Sequence, residues 1–226
     1  AHFMEMTKDP MKYNTELLMR ILQDNKDTEY GRKYGFADIH SIEEYQAKVP
    51  ITMFDDYAGY IYKMTEEGAT GLITSYRVEH YAKSSGTMGN PKRIPVTDRA
   101  MEVLDRYNQQ VRLAILCDGL GFGWIESPAI NLIEAPMTKL KCGATYGAIS
   151  GRMVLSLGEY LPFFMTSPSE ALVPDIRTNT RYLHARFALA SKTVTMAACS
   201  YISLILEMMQ YIERDWEMLV YDIEHG

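Results

Sequence analysis

The residues best equipped for chemistry lie in one loop: Ser84-Ser85-Gly86-Thr87-Met88-Gly89-Asn90, closed by Pro91-Lys92. Two glycines three apart allow positive φ and a close backbone approach to a ligand. Successive backbone N–H groups in such a turn can converge into a nest for an anion. Three hydroxyls and a lysine add donors and a positive charge. That inventory suits a polyphosphate. The same residue types also build ordinary hairpin connections, so composition alone leaves both readings open. The spacing is not that of a Walker loop, which needs four residues between its glycines and a Gly-Lys-Ser/Thr ending.

Two extended runs flank the loop, Val78 to Ala82 before it and Arg93 to Val96 after it, and together they predict a hairpin. Other catalytic signatures are missing from the sequence. There is no Gly-x-Ser-x-Gly elbow and no Gly-x-Gly-x-x-Gly fingerprint. Cys117, Cys142 and Cys199 are odd in number and far apart, which points to neither a zinc site nor a disulfide framework but to a reducing, cytoplasmic setting. The five histidines are too dispersed for a local metal motif. The pairs Asp55-Asp56 and Glu66-Glu67 read as solvated faces.

The chain must supply elements that hold the loop. Its 226 residues are enough for one good core, and 47% apolar with 23% charged residues is ordinary for a globular protein. A formal net charge of −6 argues against nucleic acid or an anionic membrane as partner. No apolar run is long enough to span a bilayer, and the first ten residues do not read as a signal peptide.

Asp9-Pro10 predicts a helix start, with Tyr13, Leu17, Ile21 and Leu22 as its apolar stripe. Gly31 and Gly35 mark a turn-rich stretch. Ser41 and Glu44 form a capping box for a helix that Pro50 ends. Another helix is expected over 54–67, closed by Gly68. Thr97 should cap a long helix through Leu116, buried along Met101, Leu104, Tyr107, Val111 and Ile115, with Glu102 and Arg106 paired outside. Strands are expected over 129–133 and 194–198, with short strands and turns over 143–158. Helices follow over 167–173 and 179–190, the latter with Tyr182, Leu183, Phe187 and Leu189 inward. A last helix is expected from Tyr201 to His225. Strands alternating with helices predict an α/β class, a largely parallel sheet covered by helices and carrying the loop hairpin, in one compact unit.

The loop pattern Ser-Gly-Thr-x-Gly-x-Pro-Lys resembles the phosphate loop of the acyl-adenylate-forming, luciferase-like enzymes. More blocks in the same order resemble one branch of them, the auxin-responsive Gretchen Hagen family of acyl acid–amido synthetases. These are Asn25 with Thr28 to Gly31, Val49-Pro50 with Asp56-Tyr57, and the loop with Lys92, Ile94-Pro95 and Thr97. Thr166-Ser167-Pro168, Tyr182-Leu183-His184, and Trp216, Leu219, Asp222-Ile223 and Gly226 complete the series. The resemblance covers nearly the whole chain.

It implies the large N-terminal domain of an adenylate-forming enzyme that uses ATP and Mg2+. A carboxylic acid becomes an acyl-adenylate, and an amino acid then takes the acyl group as an amide. It further implies phosphate contacts from Ser84, Ser85, Gly86, Thr87, Met88, Gly89 and Lys92, with Thr87 and Lys92 assisting the adenylation step. Met88 stands where many members carry Ser or Thr, which removes one donor. Tyr201 falls where the family has a Phe near the acyl pocket; its place on the helix stripe reads it rather as a core aromatic starting the helix. Family members are much longer, so an N-terminal fragment is expected. An acyl-CoA synthetase-like ligase and a truncated, non-catalytic relative are the alternatives.

Overall fold

The computed structural model describes residues 2–84, 91–173 and 179–226. The class is mixed α/β, 59% helix with a mostly parallel sheet, so helices supply most of the framework. The strands are β1 (Val78–Lys83), β2 (Arg93–Thr97), β3 (Ile130–Asn131), β4 (Thr138–Lys139), β5 (Thr145–Gly147) and β6 (Ala197–Ala198). They form a four-stranded sheet in the order β2-β1-β5-β4 and a two-stranded sheet, β3-β6. Instead of one compact unit there are two. The first comprises Ala1–Tyr81, Arg93–Val111 and Lys139–Thr145; the second holds Ala82–Lys92, Arg112–Thr138 and Tyr146–Gly226.

In the first unit, α1 (His2–Met6) precedes α2 (Pro10–Asn25), whose start is set as expected by Asp9 accepting from the Lys12 N–H at 3.1 Å. The buried face of α2 is rotated from the predicted stripe: Leu17 and Ile21 are exposed, while Leu22 is buried with Leu18 and Met19 packed beside the same core. Asn25 explains the rotation. Its Oδ1 accepts from the Ser75 N–H at 2.9 Å, and its Nδ2 donates to the Ile21 carbonyl at 2.7 Å. A polar residue thus sets the inward face, which apolar periodicity does not register. Leu22 joins Phe36, Ile39 and Val49 in one core cluster.

The segment read as turn-rich contains α3 (Glu29–Lys33), capped by Thr28 Oγ1, which accepts from the Gly31 N–H at 2.9 Å. Gly31 sits inside the helix because a Cβ there would lie 2.0 Å from the Asn25 carbonyl oxygen. Next come α4 (Ile42–Lys48), capped by Ser41, and α5 (Ala58–Glu66), entered through a 3-10 turn at Phe54–Tyr57. Gly68, at φ +71, ends that run. Thr97 caps α6 (Asp98–Val103) through the Ala100 N–H at 3.0 Å. The expected single helix then changes register into a π-helical stretch over Leu104–Val111. Glu102 pairs with Arg99, at 2.7 Å, and not with Arg106.

The predicted buried face is only half-covered at Met101, Leu104, Tyr107 and Val111, and in the second unit α7 (Arg112–Leu120) carries an exposed Ile115. The two expected strands exist but shrink to two residues each. They pair in parallel, Ile130 with Ala197 and Asn131 with Ala198, and Ala129 bridges Met165 in parallel. The glycine-rich segment yields β5 followed by a helix that turn statistics missed, α8 (Ile149–Leu155). Gly151 permits it, since a Cβ there would sit 2.7 Å from the Cβ of Ala135. Ala135 itself is fully buried beside Leu161, Met165 and Leu172.

Helices α9 (Leu161–Phe164) and α10 (Ser169–Leu172) lead to α11 (Thr180–Ala190), which is capped by Asn179 through the Tyr182 N–H. The fully covered residues of α11 are His184, Ala185 and Ala188; of the four predicted, Tyr182 and Leu189 pack against the core of Ala185, Tyr211 and Leu219, and Leu183 and Phe187 are half-buried. The last helix is two: α12 (Ile202–Arg214) and α13 (Trp216–His225), parted at Asp215 (φ −107, ψ 24).

Candidate functional site

Ser84 and Lys92 form the neck of the predicted phosphate loop. The Ser84 N–H donates to the Lys92 carbonyl at 3.3 Å, and the Lys92 N–H donates to Ser84 Oγ at 2.8 Å. Ser84 Oγ therefore serves as an acceptor within the neck while its own proton can still be donated. Lys92 is exposed. Ser85, Gly86, Thr87, Met88 and Gly89 lie outside the described residues.

Directly after the neck, Arg93 meets the end of α5. Its Nη1 donates to Glu66 Oε1 at 2.9 Å and to Thr65 Oγ1 at 3.1 Å. The other carboxylate oxygen of Glu66 pairs with Lys141 at 2.9 Å. Lys141 and then Arg93 hold the Glu66 carboxyl below its usual range. Thr65 is fully buried and its carbonyl accepts from the Cys142 N–H at 3.1 Å. By sequence alone Glu66 reads as a solvated acid. Its partners lie 27 and 75 residues on, and no local pattern announces such a cluster. On β1, buried His80 places Nδ1 2.9 Å from Thr145 Oγ1.

Two blocks that sequence reading kept apart meet in the second unit. Ser167 Oγ lies 2.7 Å from His184 Nδ1, and both residues are buried. Burial pushes the His184 imidazole below its ordinary value, with the charge of Glu134 opposing weakly. A sealed Ser–His pair of this kind offers no nucleophile to a substrate. Tyr182 Oη donates to Asp222 at 2.7 Å and Arg186 to the Asp222 carbonyl at 2.8 Å, tying α11 to α13. Tyr201, just before α12, is 67% exposed, so the core-aromatic reading is wrong: only the residues turned toward α11 are covered.

A cavity of ≈ 330 Å³ in the first unit is lined by Met64, Tyr81, Cys142 and the loop from Gly68 to Val78. Burial raises the Tyr81 phenol to about 12. Neither Ser84, Lys92 nor Tyr201 lines that cavity. The cysteines are free thiols. Among the described residues no three His, Cys, Asp or Glu side chains gather to hold a metal, and no helix is long and apolar enough to cross a membrane.

The fold is that of a solved acyl acid amido synthetase, GH3.15, which superposes with a TM-score of 0.76 at 20% identity over 96% of this chain and 38% of the other. The profile of the GH3 family N-terminal domain matches residues 1–226, and the chain belongs to the GH3 family. It is 28% identical to GH3.9 of Arabidopsis thaliana over 235 residues, 98% of this chain and 39% of that protein. It is 26% identical to jasmonoyl–L-amino acid synthetase JAR6 of Nicotiana attenuata, over 99% of this chain and 40% of the relative. The chain thus spans about two fifths of the length of these relatives.

Proposed function

We propose that this chain is the N-terminal, phosphate-holding part of an ATP-dependent acyl acid–amido synthetase acting in the cytoplasm. The observation that carries the reading is the match of the whole chain to the GH3 N-terminal domain, whose relatives include a jasmonoyl–amino acid synthetase. In the reaction, a carboxylate attacks the α-phosphorus of ATP and pyrophosphate leaves. An amino acid nitrogen then attacks the acyl carbon, forming the amide and releasing AMP.

The chain's own residues fit the first step. Ser84 and Lys92 pin the loop mouth, and Lys92 stands exposed at its exit. In this reading the loop's backbone N–H groups, the Ser85 and Thr87 hydroxyls, Gly86, Met88, Gly89 and Lys92 would hold the β- and γ-phosphates. Fixed donors of this kind stabilise the leaving pyrophosphate without reorganising during the step. Magnesium supplies charge neutralisation there and would take most of its ligands from the phosphates and water. Tyr201, exposed ahead of α12, would contact the acyl group.

The test is acid-dependent exchange of labelled pyrophosphate into ATP by the intact protein, followed by addition of amino acids or coenzyme A. Exchange with an amide product is expected. No exchange across a broad panel of acids would overturn the reading, and a thioester product would move it to the acyl-CoA ligases.

A further inference from the structure

We propose that the cavity between the end of α5 and the start of β1 binds a small, uncharged, mostly apolar molecule through a carbonyl-type oxygen that accepts from the Tyr81 hydroxyl. Its walls all belong to the first unit, and none comes from the phosphate loop.

At ≈ 330 Å³ the cavity lies at the small end of the range for ligand pockets, about 300–1,000 Å³. Met64 and Tyr81 are its buried walls, and Val78 and Cys142 are half-buried. Tyr81 is 2% exposed, and its hydroxyl has no hydrogen-bond partner among the described residues. Buried polar groups are normally paired, so this donor calls for an acceptor. Burial raises the phenol to about 12, which keeps it protonated and able to donate at neutral pH. A buried water needs about two to four polar partners. The neighbouring hydroxyls are already engaged: Thr74 Oγ1 accepts from the Tyr76 N–H at 3.1 Å, and Ser75 Oγ donates to Asn25 Oδ1 at 3.4 Å. A hydrocarbon body carrying one acceptor oxygen suits the apolar walls and the waiting donor better than water does.

Charge selects against an ion. No Asp, Glu or Lys stands among the lining residues, and Arg77 is exposed and paired with Glu79 at 3.1 Å. The charge of Arg93 reaches Tyr81 only weakly and is paired with Glu66. A carboxylate at Tyr81 would therefore be buried without a counter-charge of its own, which is costly. The walls are also preformed. The Gly71 and Leu72 carbonyls accept from the Glu29 and Tyr30 N–H groups at 2.9 and 2.8 Å, Asn25 Oδ1 holds the Ser75 N–H, and the Cys142 N–H donates to the Thr65 carbonyl. Little ordering cost is left for a ligand to meet.

The test uses acetophenone as probe and Cys142 as reporter. Alkylation of the intact protein by iodoacetamide is followed thiol by thiol through peptide mass spectrometry, with melting temperature read in parallel. At about four times its Kd, acetophenone should slow Cys142 about fivefold. Cys117 and Cys199, which do not line the cavity, should keep their rates. Tyr81→Phe should raise the Kd about fivefold, the equivalent of one net hydrogen bond. It should not lower the melting temperature, since the hydroxyl it removes has no protein partner. Ala69→Leu fills the cavity and should abolish protection. Benzoate, of similar shape but charged, should protect about tenfold more weakly. Equal slowing of all three thiols, no slowing up to the solubility limit, or an unchanged Kd in Tyr81→Phe would overturn the proposal. Benzoate protecting as well as acetophenone would overturn the uncharged class. If Cys142 does not react in the free protein, a rise in melting temperature with acetophenone that Tyr81→Phe reduces supports the site, and no rise overturns it. Should Ala69→Leu not fold, Tyr81→Phe carries the comparison.

Discussion

Ser167 Oγ and His184 Nδ1 lie 2.7 Å apart, sealed in the second unit, joining the chain just before α10 to the middle of α11. The pair is structural. A buried imidazole with one nitrogen committed to a hydroxyl must be neutral, because its environment disfavours the charge.

Stability should therefore fall in mild acid. The folded-state value of His184 is depressed below the ordinary 6.5, so the unfolded chain binds the extra proton first. Above pH 6.5 the contribution is complete; it is lost as pH falls from there through the folded value. Urea midpoints at pH 7.5 and 5.5 check this, and the difference between them should shrink in His184→Gln.

Replacing Ser167 with alanine leaves His184 Nδ1 buried without its partner. The expected cost is about 1–3 kcal/mol. Denaturant unfolding of S167A measures it, and Ser167→Thr should lose less if the hydroxyl is what matters.

Two glycines should respond in opposite senses to alanine. At Gly31 the new Cβ would meet the Asn25 carbonyl oxygen at 2.0 Å, so G31A should lose about 1–3 kcal/mol. At Gly59, in the first turn of α5, nothing lies within 4 Å, so G59A should gain about 0.4–1 kcal/mol. Thermal melts of both variants decide the matter.

Removing the Lys92 ammonium or the Thr87 hydroxyl should slow acid-dependent pyrophosphate exchange in the intact protein. For Lys92→Ala a drop of about 10–100-fold is expected, the equivalent of one lost charge-assisted hydrogen bond. A scaffold that kept the fold without the chemistry would show no exchange to lose.

Cleavage of the tie between α11 and α13 should be milder. Tyr182→Phe removes a hydrogen bond to Asp222 on a partly exposed surface. A loss of about 0.5–1.5 kcal/mol is expected, read from the urea midpoint.

Local chemistry in the sequence determined the helix starts. Asp9, Thr28, Ser41, Thr97 and Asn179 each satisfy the N–H three residues on, an interaction complete within a few residues. Of these, only the helix after Thr28 was read as a turn, since Gly31 signals flexibility until its crowding against Asn25 is known. The hairpin strands, the loop's residue types and the ordered family blocks were legible for the same local reason. Tertiary packing decided the rest. It turned α2 by way of Asn25 and Ser75, put a helix where glycines suggested turns, split the final helix at Asp215 and left Tyr201 exposed. It also drew Thr65, Glu66, Arg93 and Lys141 into one cluster and Ser167 onto His184. Contacts between residues tens of positions apart depend on where separate elements come to rest, and no short-range propensity or period encodes that.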